Sequence, residues 1–175
     1  MVAVTGTLGV PAAGGRPATE DDVDETVDEV LGEEAGRVAA ARAGTRRETF
    51  VFAPEQGVPP QVGPSAHATR WGDLVFCTGQ LPTDPITGEL VPGGVLEQAE
   101  QVRRNVAAVL GALGLTWDDA LVVRVHLADL ATCEAFDEAY RAWFRGPLPA
   151  RSCVGVSALA LGAALEVEVV AAARR

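Results

Sequence analysis

Residues 164–171, ALEVEVVA, carry the clearest structural signal of the chain. Apolar side chains occupy every second position from Leu165 to Val169, with Glu166 and Glu168 between them. Alternation with a period of two is typical of a β-strand that buries one face. The stretch therefore predicts a strand whose apolar side faces a core and whose other side carries two carboxylates.

Further strand patterns surround this one. Residues 120–127, ALVVRVHL, are rich in branched apolar side chains and alternate in the same way. Residues 67–71 and 74–79 flank Gly72-Asp73, a dipeptide typical of a hairpin turn. Residues 153–159 predict another strand after the proline-bounded break at 147–149. Together these patterns predict a sheet.

Two segments have helical spacing instead. Residues 95–113 place apolar side chains on one helical stripe and end at Gly114, and residues 133–144 predict a second helix. The resulting order is strands, helix, strand, helix and two strands, which predicts one α+β sheet with both helices on one face. The uncovered face would need burial by another subunit.

The composition changes near residue 48. Residues 1–48 are acidic and almost devoid of large apolar side chains, so they form an N-terminal extension, whereas residues 49–175 have the pattern of a folded domain. Within the extension, Thr19 could cap a helix with an acidic first turn and a basic end. We interpret it as a mobile or partner-docked helix; a cover over an active site or interface is the alternative.

The charge balance excludes several classes of function. The chain has 14 basic residues, none of them lysine, against 24 acidic ones, for a net charge of −10. An acidic surface repels a phosphate backbone, so we expect no nucleic-acid partner. The lack of lysine excludes Schiff-base catalysis on a lysine and the phosphate-loop lysine.

Cysteine spacing and apolar runs indicate where the protein works. The three cysteines, Cys77, Cys133 and Cys153, form no Cys-x-x-Cys pair, which favours a reducing cytoplasm. No stretch resembles a signal peptide or a membrane span, so we expect no membrane partner.

The residues that usually carry cofactor chemistry are scarce. Only His67 and His126 are present, and both are interpreted as structural. No glycine-rich dinucleotide motif, phosphate loop or zinc-protease motif occurs. The sequence therefore predicts chemistry without a cofactor or a metal.

Three charged residues are candidates for a site. Arg151 stands between a proline-bounded loop and an apolar strand, where its planar guanidinium could bind a small carboxylate; a structural salt bridge is the alternative. Glu166 or Glu168 could act as a general base on water. A solvated strand face is the simpler interpretation of the two glutamates.

From Gly63 onward the chain resembles the reactive intermediate deaminase family, the RidA or YjgF-like proteins. No single motif is specific, but Arg151 precedes Glu166 by fifteen residues and the landmarks occur in the family's order. They are Gly63-Pro64, LVFCTGQ at 74–80, Asp84-Pro85, Thr87-Gly88, Gln98, Asn105, Asp129-Leu130, Tyr140, Phe144, Pro149-Ala150-Arg151 and LEVE at 165–168.

The resemblance implies a fold, an assembly and an activity. The fold is a chorismate-mutase-like mixed sheet with two helices packed on one face, assembled as a homotrimer with active sites between subunits. The activity is cofactor-free hydrolysis of 2-imino and enamino acids to 2-oxo acids and ammonia. Arg151 would bind the substrate carboxylate and Glu166 would handle water and protons. Thr78 and Gly79 would seat the substrate, and Cys153 would line the pocket.

Departures from the family pattern concern the substrate. Ser65 replaces the usual tyrosine, and Asp137 replaces an asparagine on the second helix. If Asp137 is close to Arg151, its charge would compete with a substrate carboxylate for that arginine. We therefore keep two alternatives: an enzyme of a dedicated pathway that acts on a larger imine or enamine, and a non-catalytic trimer that binds small carboxylates.

Overall fold

The computed structural model describes residues 46–173. One six-stranded sheet and two α-helices dominate this part of the chain. The strands are β1 (Glu48–Phe50), β2 (Ala68–Trp71), β3 (Leu74–Gln80), β4 (Ala120–Leu127), β5 (Ala150–Gly155) and β6 (Leu165–Ala172), and the helices are α1 (Val95–Ala112) and α2 (Cys133–Arg141).

The sheet is mixed. Its strand order is β1-β2-β3-β6-β4-β5, and all neighbours run antiparallel except the parallel pair β4 and β5. The last strand of the sequence thus lies in the middle of the sheet. The α+β class predicted from the sequence, a mixed sheet with two helices, is confirmed.

The core lies between the helices and one face of the sheet. From the sheet, Leu165 and Val167 of β6 and Val123 of β4 are fully buried. From the helices, Val106 of α1 and Phe136 of α2 pack into the same cluster. Burial of each such side chain stabilises the fold by about 1.5–3 kcal/mol relative to exposure. Because alternate residues of a strand point to opposite faces, the face that carries these apolar side chains is the one that packs against the helices.

An aromatic cluster closes the core at the end of α2. The ring centroids of Trp117 and Trp143 are 5.0 Å apart, and Trp143 packs edge-on against Phe136 at 5.5 Å. Tyr140 contacts Trp143 at 5.3 Å and Phe144 at 5.0 Å. The cluster anchors the C-terminal end of α2 beside β5.

We call the sheet surface opposite the helices the open face. Phe76 and Leu74 of β3 and Val154 of β5 point to it and are 43%, 39% and 46% exposed. Such apolar side chains on a central sheet surface are typical of a face that packs on another chain. Burial of the open face by a second subunit stays a prediction, and these three exposed side chains would supply its apolar contacts.

Two predicted boundaries are wrong. β5 begins at Ala150, not at residue 153, and ends at Gly155, because its whole length pairs in parallel with β4, from Val122 opposite Ala150 onward. α2 ends at Arg141, not at residue 144, since the N–H groups of Ala142 and Trp143 donate to carbonyls only three residues back. Arg151 consequently lies within a strand.

Other predicted elements are confirmed. β2 and β3 form the hairpin, with Gly72 at φ +60° in its turn, where a side chain would be strained. α1 ends just before Gly114, and β4 has the predicted bounds. Within residues 46–173, no helix is long and apolar enough to cross a membrane. The helix predicted from Thr19 lies outside the described residues.

Candidate active site

The first cleft lies where β3 ends and β6 begins, and we call it the Glu166 cleft. Its volume is about 290 Å³, and it includes Ser65, Thr78, Gly79 and Glu166, four of the residues named from the sequence. Of the rest of its wall, only Gly63 was named from the sequence, as a family landmark; the others are Pro60, Gln61, Val62, Leu81, Thr83 and Ala160. The cleft therefore brings the predicted carboxylate together with the segment that departs from the family pattern.

Glu166 lies against the backbone of Gly79. A Cβ atom built at position 79 would overlap the Glu166 carboxylate, with Cδ only 2.8 Å away. A register shift between β3 and β6, from Cys77 to Gln80, bends β3 at this point. Such bulges redirect side chains next to functional sites. Glycine at 79 thus makes the room in which the Glu166 carboxylate sits.

The two glutamates of β6 differ in their partners. Glu168 lies 3.4 Å from Nη1 of Arg124, its neighbour on β4, and forms an ion pair on the open face. Glu166 forms no hydrogen bond or ion pair with any residue between 46 and 173. Of the two candidate bases, Glu166 is the one without an ion-pair partner among residues 46–173.

Hydrogen bonds hold the wall of the Glu166 cleft. Oγ1 of Thr78 donates to the carbonyl of Ala66 at 2.8 Å, and Oγ of Ser65 donates to Oε1 of Gln61 at 3.0 Å. The buried His67 accepts at Nδ1 from the N–H of Phe52 and donates from Nε2 to the carbonyl of Pro59. His67 is therefore a structural residue that ties this loop to the start of the domain.

The second cleft lies between α2 and β5, and we call it the Arg151 cleft. It has a volume of about 240 Å³ and is lined by Asp137, Tyr140, Arg141, Leu148, Pro149 and Arg151. Nη1 of Arg151 donates to Oδ1 of Asp137 at 2.6 Å. The guanidinium carbon lies 4.9 Å from the centroid of the Tyr140 ring. Asp137 and Tyr140 both contact Arg151 because residues three apart lie on the same face of a helix.

The charges in this cleft perturb one another. The hydrogen bond from Arg151 holds the pKa of Asp137 below its usual value, and Asp137 in turn raises the pKa of Arg151. Burial raises the pKa of Tyr140 to about 12, and its hydroxyl has no hydrogen-bond partner among residues 46–173. Tyr140 thus stays neutral, and the Arg151 cleft contains a tight ion pair on an aromatic floor.

Cys153 is not among the residues that line these two clefts. Its Sγ lies 3.4 Å from Sγ of Cys133, the first residue of α2, and both side chains pack against the core. Burial raises the pKa of Cys153 to about 11, which keeps it a thiol at neutral pH. The structure therefore places Cys153 beneath the Arg151 cleft, at the contact of α2 with β5.

The sheet separates the two clefts within one chain. Arg151 on β5 contacts α2 and is paired in register with the buried Val123, so it points to the helix side. Glu166 alternates with the buried Leu165 and Val167, so it points to the open face. Within one chain, Arg151 and Glu166 therefore lie on opposite sides of the sheet.

No group of three or more His, Cys, Asp or Glu side chains in the described part of the chain could hold a metal ion.

Some residues of the clefts were not predicted from the sequence. Gln61 and Pro60, for example, lie in a loop without hydrophobic periodicity, so no sequence pattern indicated them. Tyr140 was named from the sequence as a family landmark, but its contact with Arg151 depends on the pairing of β5 with β4.

Comparisons with known proteins agree with this architecture. The family described as endoribonuclease L-PSP matches residues 57–173. A mouse protein named 2-iminobutanoate/2-iminopropanoate deaminase is 36% identical over 113 residues, which cover 65% of this chain and 84% of that protein. A RutC family protein of Sinorhizobium fredii is 41% identical over 112 residues, 64% of this chain and 89% of that protein. The crystal structure of Escherichia coli TdcF with bound serine superposes with a TM-score of 0.67 at 32% identity, covering 73% of this chain and all of that one.

Proposed function

The chain belongs to the endoribonuclease L-PSP family, which includes the RidA and YjgF proteins, and from this membership we propose that it hydrolyses 2-imino and enamino acids to 2-oxo acids and ammonia. Relatives from mouse, goat and rat, at 35–36% identity, are named for that activity. The three free thiols of the described domain suit the reducing cytoplasm that we propose as its location.

One observation carries the proposal. The carboxylate of Glu166 lies in a cleft without an ion-pair partner in the described domain, while its neighbour Glu168 is paired with Arg124. An unpaired carboxylate in a small cleft is suited to accept a proton from water. Gly79 leaves room for that carboxylate.

We propose that each active site forms between two subunits of a homotrimer. Arg151 of one subunit would bind the substrate carboxylate, and Glu166 of its neighbour would face the imine carbon. The position of the two side chains on opposite sides of the sheet supports this arrangement. The exposed Phe76 and Leu74 supply apolar surface for the contact between subunits.

The proposed reaction needs only water. Glu166 takes a proton from water while the water oxygen bonds to the imine carbon, and the electron pair of the C=N bond moves to nitrogen. Glu166 then gives this proton to the nitrogen, which yields a carbinolamine. The hydroxyl proton of the carbinolamine moves to the nitrogen through Glu166, so that the C–N bond breaks, ammonia leaves, the carbonyl forms and Glu166 is again a carboxylate. Because no electrons are transferred, the reaction requires no redox cofactor.

RNA cleavage, which the family description names, has less support. None of the described residues that line the Glu166 cleft is basic, so in the proposed site only the arginines of the neighbouring subunit's Arg151 cleft could hold a phosphate. The net charge of −10 opposes the approach of a polyanion. Both observations favour a small substrate.

A second candidate is a larger imine or enamine. Ser65 lines the Glu166 cleft at the position where the family usually has a tyrosine, and its hydroxyl is held by Gln61. The smaller side chain leaves space for a longer substrate. Turnover of bulky imines faster than that of 2-iminopropanoate would favour this version.

The test couples an amino-acid dehydratase to the purified full-length protein and follows loss of 2-iminobutanoate and 2-iminopropanoate. We expect acceleration by the wild type and losses of about 10²–10⁴-fold for Arg151→Ala and Glu166→Gln. Glu168→Gln and Arg104→Ala, outside both clefts, serve as matched controls and should retain activity. Full activity of Arg151→Ala would refute the assignment. A wild type that binds 2-oxobutanoate but accelerates no imine would support the non-catalytic, carboxylate-binding alternative.

A further inference from the structure

The residue proposed to bind the substrate carboxylate is already paired within its own chain. Nη1 of Arg151 and Oδ1 of Asp137 are 2.6 Å apart, and the two side chains are 23% and 30% exposed. Both line the Arg151 cleft. A ligand that enters this cleft therefore meets a cation and an anion side by side.

The pair keeps free hydrogen-bonding capacity on both partners. A guanidinium has five N–H donors, of which Asp137 takes one, so donors remain for a ligand carboxylate. The contacts of the Asp137 carboxylate, with Arg151 and with the Cys133 thiol at 3.9 Å, both use Oδ1. Its Oδ2 makes no hydrogen bond within residues 46–173 and can accept one.

The other groups that face Asp137 leave the cleft with a positive balance. Arg141 lies one helical turn away, with Nη1 3.4 Å from the backbone carbonyl of Asp137, and Tyr140 is neutral. Two arginines against one aspartate still attract a carboxylate. Because Asp137 lies next to Arg151, it repels a ligand that carries only a negative charge while Arg151 attracts the same ligand. A ligand that also carries a positive charge near its carboxylate avoids this repulsion.

We propose that Asp137 is a specificity-determining residue, which makes the Arg151 cleft select zwitterions whose cationic nitrogen adjoins a carboxylate. The inference rests on the proposed function and identifies the form of its substrate. A 2-iminium acid has a carboxylate for Arg151 and a C=NH₂⁺ group one carbon away for Oδ2 of Asp137. The 2-oxo acid product lacks the nitrogen and keeps only the negative charge, so the same pair favours its release.

Two unreactive ligands test this selection. 2-Aminobutanoate is a zwitterion and 2-oxobutanoate a monoanion of similar size, and calorimetric titration of the full-length protein gives a dissociation constant for each. We expect the wild type to bind the amino acid more tightly. In Asp137→Asn, which keeps the size of the side chain, the ratio of the two constants should move at least tenfold toward the oxo acid, a change of about 1.4 kcal/mol. Arg151→Ala should bind neither ligand measurably.

The outcomes separate the inference from the proposed function. An unchanged ratio in Asp137→Asn would mean that Asp137 only orients Arg151, and tighter binding of the oxo acid by the wild type would also refute the selection. Because the wild-type ratio is measured on unmodified protein, it can refute the selection even if Asp137→Asn does not fold. Neither ligand is turned over, and failure to accelerate imine hydrolysis would therefore refute the enzyme while leaving the measured ratio intact.

Discussion

The Glu166 cleft and the Arg151 cleft place their charged side chains in opposite environments. In the first, a carboxylate lies over a glycine with no ion-pair partner among the described residues. In the second, the arginine is paired at 2.6 Å and stacked on a tyrosine ring. An unpaired acid is suited to exchange protons, whereas a paired cation is fixed in position and suited to recognise a ligand. This difference supports the proposals that the Glu166 cleft carries the chemistry and that the Arg151 cleft selects the ligand.

The largest expected effect comes from mixing two inactive variants. Arg151→Ala damages one cleft and Glu166→Gln the other, so each homomer should lack activity. Random mixing of subunits by co-refolding places an intact Arg151 opposite an intact Glu166 in about one site in four. We therefore expect roughly a quarter of wild-type activity in the coupled dehydratase assay.

The double variant is the control for this experiment. Arg151→Ala mixed with Arg151→Ala/Glu166→Gln contains no intact Arg151 and should remain inactive. If the mixture of the two single variants also stays inactive while native mass spectrometry shows mixed oligomers, the two clefts do not cooperate across subunits.

A smaller effect is expected from filling the space beneath Glu166. Gly79→Ala would place a Cβ atom against the carboxylate and displace it. Because displacement by about an ångström can cost up to about a hundredfold in rate, kcat should fall roughly ten- to a hundredfold with a smaller change in KM. Gly111→Ala, where a Cβ meets no atom within 4 Å, is the matched control. Equal kcat for the two variants would contradict the role of Gly79.

The smallest effect concerns the stability supplied by the ion pair. The pKa of Asp137 is lowered in the folded chain, so its contribution is complete above the ordinary aspartate pKa of about 3.9 and is lost as pH falls through the folded value. The free energy of unfolding of the wild type should exceed that of Asp137→Asn by about 1 kcal/mol or less at pH 7, and the difference should shrink as pH falls below about 3.9. Urea unfolding over a series of pH values on both sides of this pKa measures it, with the exposed Glu138→Gln as control. A constant difference would mean that the charge of Asp137 is not involved.

The sequence predicted the parts of the fold that local patterns control. Alternation in β6 and β4 identified their buried faces, and Gly72-Asp73 identified the hairpin. The start of β5 could not be predicted, because Ala150-Arg151-Ser152 has no apolar alternation and forms a strand only through parallel pairing with a distant segment.

The candidate site was predictable as a set of residues but not as an arrangement. Glu166 and Glu168 have equal alternation patterns, so only the family resemblance favoured Glu166 at the level of sequence. The structure distinguishes the two by the register that sets Arg124 beside Glu168. The placement of Arg151 and Glu166 on opposite sides of the sheet follows from the strand order, which joins residues far apart in the chain. Asp137 was predicted to compete for Arg151 if the two were close, and their contact at 2.6 Å establishes that closeness.

The aromatic cluster gives the molecule an optical reporter of one cleft. The chain has three tryptophans. Trp117 and Trp143 are buried side by side, and Trp143 contacts Tyr140, which lines the Arg151 cleft. Trp71 is 53% exposed on the hairpin. A soluble quencher will reach Trp71 first, so the remaining emission comes from the two buried indoles. Ligand entry beside Tyr140 can thus be followed by intrinsic fluorescence, without a label and without turnover.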